Sequence, residues 1–195
     1  MEEKRENRLV SFIKKYAAAL LAGCVILLLA VYFINIIFVQ NQKTAVSVLI
    51  LEFMEDTSGL ENQVREVLGT GGDEEIEIRT ISAGVGANKA VALTWIRAEV
   101  VDVIIGEEEQ MTEYAQAGYL KDLGSTEAEQ PGAFLCGLAE YDKDGNVTGT
   151  GPESCFGKYA GEIAGVRMEK TVAGLADNAS NVENALRLLN FFSEN

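Results

Sequence analysis

Histidine is absent from the 195 residues, and proline occurs only twice. Without histidine the chain lacks the commonest general base and metal ligand, which argues against a metalloenzyme or a Ser-His hydrolase. Basic residues are scarce, with 16 Lys and Arg against 30 Asp and Glu for a net charge of −14. The imbalance is uneven along the chain. Residues 1–43 hold six basic and three acidic residues, so the remainder carries ten and 27, a net −17. Such a field opposes nucleic acid as a partner, attracts cations, and keeps a domain soluble. Cysteine occurs three times, at Cys24, Cys136 and Cys155.

Polar residues are nearly missing from Tyr16 to Val39, a run of 24 residues whose one clearly polar member is Asn35. As a helix it covers roughly 36 Å, more than the roughly 30 Å hydrocarbon layer, so the run predicts a transmembrane helix over 16–39. Lys4, Arg5, Arg8, Lys14 and Lys15 precede it and only Lys43 follows closely. The positive-inside rule then makes residues 1–15 a cytoplasmic tail and residues 44–195 an extracytoplasmic domain of a single-pass cell-membrane protein, with the lipid bilayer as a partner. The run is too long for a cleaved signal peptide, and it ends in bulky Ile36, Ile37 and Phe38. Leu21-Ala22-Gly23-Cys24 is similar to the bacterial lipoprotein box, but fifteen nearly all apolar residues follow where lipoproteins turn polar. The run therefore reads as a retained anchor.

The remainder, about 152 residues, suits one ordinary domain. Ala45–Leu51 is an apolar, β-branched run of strand length, suited to a central strand covered on both faces. Ser58 and Glu61 have capping-box spacing, and Leu60, Val64, Val67 and Leu68 recur at helical intervals up to Gly69. Glu75–Ile81 alternates with period two, Asn88 is placed to cap a helix running to about Val100, and Val101–Gly106 predicts a second central strand. A helix follows near 107–117. Strand and helix alternating three times imply right-handed crossovers: an α/β fold with a mostly parallel open sheet and helices on both faces. Residues 124–168 lose this rhythm, hold both prolines and two of the cysteines, and read as an irregular hairpin insertion. Thr171–Ala176 then predicts a last strand and 181–192 a last helix.

Two segments carry a family resemblance. Ala98-Glu99-Val100-Val101-Asp102-Val103-Ile104-Ile105-Gly106, followed by Tyr114-Ala115-Gln116-Ala117-Gly118-Tyr119-Leu120-Lys121-Asp122-Leu123, resembles the strand and helix of extracellular solute-binding proteins of ATP-driven importers. Val172 to Phe192 is similar to that family's strand, Asn/Ser turn and closing helix. The resemblance implies a periplasmic-binding-protein-like lobe, with a small-molecule solute or an extracytoplasmic protein as partner. It also departs from the family, because the second lobe would occupy a place where this chain has about 45 irregular residues. A single lobe cannot enclose a solute by hinge closure. The leading expectation is a non-enzymatic binding or interaction domain without cofactor. The alternative is a solute receptor of an importer or sensor that completes its site with a partner chain.

Open α/β sheets bind ligands at the carboxyl ends of their strands. The loops expected there nominate Glu52, Thr57, Ser58, Ser82, Asn88 and Glu107 as ligand-binding residues. The nearby carboxylates favour a cation or an amine, and they also suit a solvated face. No nucleophile, base and oxyanion set converges, and no metal set is nominated. Asp142–Glu153 has calcium-loop oxygens at several positions, but Val147 stands where the sharp turn needs glycine. Asp144-Gly145-Asn146 reads better as a hairpin turn. Pairing about that turn would set Cys136 opposite Cys155, which makes a disulfide geometrically feasible; two reduced thiols are the competing reading.

Overall fold

The computed structural model describes residues 16, 23–32, 43–71, 74–82 and 86–194, in two units divided between Lys43 and Thr44. In the first unit, residues 23–32 are helical, and Ile26, Leu27 and Leu28 are exposed. Most of the predicted span over 16–39 lies outside the described residues, as does the tail 1–15. Among the described residues, no helix is long and apolar enough to cross a membrane.

The second unit is an α/β domain. In chain order it runs β1 (Lys43–Ile50), α1 (Ser58–Leu68), β2 (Glu74–Thr80), α2 (Gly86–Arg97), β3 (Val103–Glu107), α3 (Glu108–Gln116), α4 (Ser125–Ala128), β4 (Ala133–Tyr141), β5 (Val147–Tyr159), β6 (Thr171–Leu175) and α5 (Val182–Glu194). The strands form one six-stranded sheet in the order β2-β1-β3-β6-β5-β4.

Apolar side chains on both faces of the central strands explain why helices cover both sides. Val48 and Ile50 of β1 stand beside Val103 and Ile105 of β3, which stand beside Leu175 and Ala173 of β6. That row packs against Leu60 and Val64 of α1 and Leu188, Leu189 and Phe192 of α5. Leu49 and Ile104 point the other way, into a second core with Ile96 of α2 and Met111, Tyr114 and Ala115 of α3. Burying each large apolar side chain contributes about 1.5–3 kcal/mol. α5 alone supplies three that are at most 1 % exposed, Leu188, Leu189 and Phe192.

The sheet is mixed, which corrects the mostly parallel expectation. β1 and β3 are parallel, but β6 runs antiparallel to β3, and β5 and β4 continue the antiparallel half. The connection into β6 contains a hairpin rather than a single crossover helix, so the right-handed parallel rule does not govern its direction. Residues 124–168, read as an irregular hairpin insertion, do contain a hairpin, and it joins the sheet. Their hairpin supplies two of the sheet's six strands, and its turn is tied by Asp142, whose Oδ1 accepts the Asp144 and Asn146 N–H groups at 2.9 and 2.8 Å.

The hairpin register also corrects the cysteine pairing. A shift between Phe134 and Leu135 sets Cys155 opposite Leu135 and Cys136 opposite Ser154. Side chains alternate in a strand, so the two thiols leave opposite faces of the ribbon. Cys136 Sγ lies 3.9 Å from the Thr112 carbonyl of α3, both side chains are buried, and both are free thiols. Burial pushes each thiol above its ordinary pKa.

One helix end is strained. After α2, the Glu99 N–H bonds Ile96 O at 3.0 Å and the Val100 N–H bonds Trp95 O at 3.3 Å, a Schellman closure that puts Glu99 in the left-handed region at φ 60°. The same closure after α3 uses Gly118, φ 76°, where glycine carries no Cβ penalty.

Candidate functional site

The reversal of β6 determines which loops meet at the carboxyl end of β1 and β3. Glu107, at the end of β3, pairs with Thr171 at the start of β6, so the segment entering β6 arrives at that end of the sheet. It faces the β1–α1 loop across a cleft of about 500 Å³ lined by Glu52, Phe53, Met54, Glu55, Asp56 and Gly59 on one side and Ala164, Gly165 and Arg167 on the other.

Local chemistry holds both walls. On the first, Asp56 Oδ1 accepts the Ser58 N–H at 2.9 Å, which starts α1 and holds the Asp56 carboxyl below its ordinary pKa. Thr57 is the N-cap residue of α1, but its side chain makes no cap bond. The expected Ser58 capping box is therefore replaced by an Asp56 turn. On the second wall, Ile163 is buried at 2 % exposure in the core under α1 and α5 and anchors the loop. The Val166 N–H bonds Ile163 O at 3.0 Å, closing a turn through Gly165 at φ 82°. A side chain there would be strained, and its Cβ would stand 2.7 Å from Met54 Cε, so glycine lets the two walls approach. The second wall is tied to α1, where the Ala164 N–H donates to Gln63 Oε1 at 3.2 Å.

The cleft is charged on both sides. Glu52, Glu55 and Asp56 stand on the first wall and Arg167 on the second, yet Arg167 makes no ion pair among the described residues. Glu52 Oε2 is shut from solvent with no hydrogen-bond partner. Phe53 at the rim is 65 % exposed, the kind of apolar surface that interaction sites expose.

Of the sequence-nominated residues, Glu52 lines the cleft, and Thr57 and Ser58 sit in its first wall without lining it. The other three lie elsewhere. Asn88 is inside the first turn of α2 rather than its cap, and its Nδ2 donates to Ser82 O at 3.0 Å; residues 83–85 between them lie outside the described residues. Glu107 is the N-cap of α3, where its N–H donates to Gln110 Oε1 at 3.2 Å. Beside it, Glu108 is engaged by Tyr159 Oη and Lys170 Nζ, each donating at 2.7 Å, and these partners depress its pKa. Asp102 precedes β3, at the opposite end of that strand from Glu107. Arg167, Ala164 and Gly165 were not nominated because residues 124–168 gave no periodic signal. The pairing of Glu107 with Thr171, which puts them at the site, is a tertiary fact.

No family model matches this chain, and neither a curated protein nor a solved structure matches it.

Proposed function

We propose that the chain is a single-pass membrane-anchored protein whose extracytoplasmic α/β domain, similar to one lobe of a solute-binding protein, binds a small solute in the cleft between residues 52–59 and 163–167. The observation that carries this reading is the cleft itself. At about 500 Å³ it is within the roughly 300–1,000 Å³ of small-ligand pockets, and it lies at the sheet end where open α/β folds bind. Its lining offers carboxylates, one guanidinium, apolar side chains and glycine, groups that can hold a small polar solute. The 24-residue apolar run and the Lys/Arg asymmetry around it support the anchor and the orientation.

A thermal-shift screen of the full chain in detergent against a broad solute library tests the site, with Ala164→Trp as control. That substitution fills the cleft from a half-buried position in its second wall. The reading expects at least one solute to stabilise the wild type and lose its effect in the variant. A hit that ignores Ala164→Trp, or no hit at all, contradicts it.

A further inference from the structure

We propose that the outer edge of β4 docks an extended segment of another protein, one that alternates apolar residues with Lys or Arg and joins the sheet as an added strand. β4 is the outermost strand, and among the described residues no strand pairs with its outer edge. Unpaired N–H and C=O groups along such an edge are a template for another chain, so natural sheets guard their edges with charge, proline or bulges. This sheet guards its other free edges. At the far side, β2 carries Glu74, Glu75, Glu77 and Arg79 within seven residues. β5 meets β6 only at Lys158 and Tyr159, and the rest of β5 holds Pro152. The three register shifts of the hairpin also fall on β5: Phe156 and Thr148 are passed over, and Gly151 and Pro152 together face Leu138. β4 is therefore left unbulged, and Ala133–Ala139 holds neither charge nor proline.

The side chains along this edge select the occupant. Alternation in an unbulged strand puts Leu135, Ala139 and Tyr141 on one face of β4, and Val147 is opposite Tyr141. Leu135, Leu138, Tyr141 and Val147 are 43 % to 63 % exposed and are four of the seven large apolar side chains exposed among the described residues of the domain. Their concentration on one ribbon is the kind of surface that marks an interaction site. From Gly137 to Glu153 that ribbon has two strands, which are marginal alone in water and gain from a third. Charge then decides between partners. Residues 125–154 hold six Asp and Glu against Lys143 alone, so a second copy of this chain, bringing the same acidic hairpin on a domain of net −17, is repelled. A strand with Lys or Arg between apolar residues complements Glu140 and its neighbours, while its main chain pairs with β4 and its apolar side chains cover the row at Leu135 and Tyr141.

Fluorescence anisotropy of the full chain in detergent with a labelled nine-residue peptide of alternating Lys and Val tests this. The peptide is expected to bind. The same peptide with alternate main-chain amides N-methylated, equal in charge but unable to pair, should bind at least about tenfold more weakly, and a Glu-Val peptide of the same length should not bind. Leu135→Lys combined with Leu138→Lys gives β4 the charged guard that β2 has and should weaken the Lys-Val peptide by a similar factor. Val91→Lys combined with Val100→Lys adds the same charge elsewhere and should leave binding unchanged. All four positions are exposed, so the variants should keep the melting midpoint, and the N-methylated peptide tests the wild-type chain whatever the variants do. Equal binding of the N-methylated or the Glu-Val peptide, or no binding of the Lys-Val peptide up to about 1 mM, overturns the added strand. A dimer seen by light scattering and lost in the Leu135→Lys, Leu138→Lys variant would assign the edge to a second copy and overturn the foreign segment. The cleft is judged by its own solute screen, since β4 contributes no residue to its lining.

Discussion

Removing the Asp102 carboxylate should destabilise the domain more than any surface change, because one buried anion organises three elements. Asp102 is 2 % exposed and lies just before β3. Its Oδ2 accepts the Ser47 N–H of β1 at 2.8 Å and Asn181 Nδ2 at 2.9 Å, and its Oδ1 accepts the Ser180 and Asn181 N–H groups at 2.8 Å each. The last two precede α5, so the positive end of that helix stabilises the charge, and no Lys or Arg pairs with it among the described residues. Hydrogen bonds to a charged group contribute about 1.5–3 kcal/mol each, and each buried donor left without a partner costs about 1–3 kcal/mol. These contributions are not additive, and they converge on about 4 kcal/mol for Asp102→Ala, in the rare tail of single substitutions. Asp102→Asn keeps the volume but turns an amide donor toward other donors, for about 2 kcal/mol. For a domain of this size, about 2–4 °C per kcal/mol lowers the melting midpoint by roughly 8–16 °C and 4–8 °C respectively. Urea unfolding read by circular dichroism and Trp95 fluorescence measures both. An Asp102→Ala variant within 1 kcal/mol of wild type would refute the claim that this carboxylate ties β1, β3 and α5 together.

Glu99→Gly relieves the left-handed residue after α2 and should raise stability by about 0.5–1 kcal/mol, seen as a higher urea midpoint at unchanged slope. Glu108, with a lowered folded pKa, contributes stability present above the unfolded value near 4.5 and lost as pH falls through the folded pKa. Tyr159 and Lys170, with raised values, contribute stability present below about 10 and 10.5 and lost as pH rises through their folded pKa values. Glu108→Gln should therefore flatten both limbs of a stability–pH profile. Gly157→Ala would drive a Cβ into the Ala173 carbonyl oxygen and should separate β5 from β6, costing about 1–3 kcal/mol in the same unfolding assay. Cys136 and Cys155 should resist alkylation in the native state at pH 8 and react without reductant once unfolded, as intact mass would show.

Periodicity made most elements legible. The apolar run at Ala45–Leu51, the alternation at Glu75–Ile81 and the stripe through Val182, Leu189 and Phe192 each correspond to an observed strand or helix. Strand direction carries no such signal. Thr171–Leu175 is buried throughout, as a central strand covered on both faces is whether it runs parallel or antiparallel, and only the hairpin before it sets its direction. The same gap hid half the cleft. Glu52 follows a recognisable strand and was nominated, whereas Arg167 sits in an aperiodic stretch that reaches the site only because β6 is reversed. Ser82, Asn88 and Glu107 do not line this cleft. Short polar side chains at strand ends are also what helix starts require, and there Asn88 and Glu107 are engaged in local hydrogen bonds.

The account turns on the loop before β6 closing over the start of α1, and a cross-link tests that most directly. A Cβ built on Gly59 stands 3.6 Å from Ala164 Cβ, inside the range that disulfides span. In a chain whose three native cysteines are replaced by serine, the pair Gly59→Cys and Ala164→Cys should form a bridge under mild oxidation, with the peptides holding positions 59 and 164 joined in non-reducing mass spectrometry. Two free thiols after oxidation in the folded protein would contradict the reversed strand, and with it the cleft.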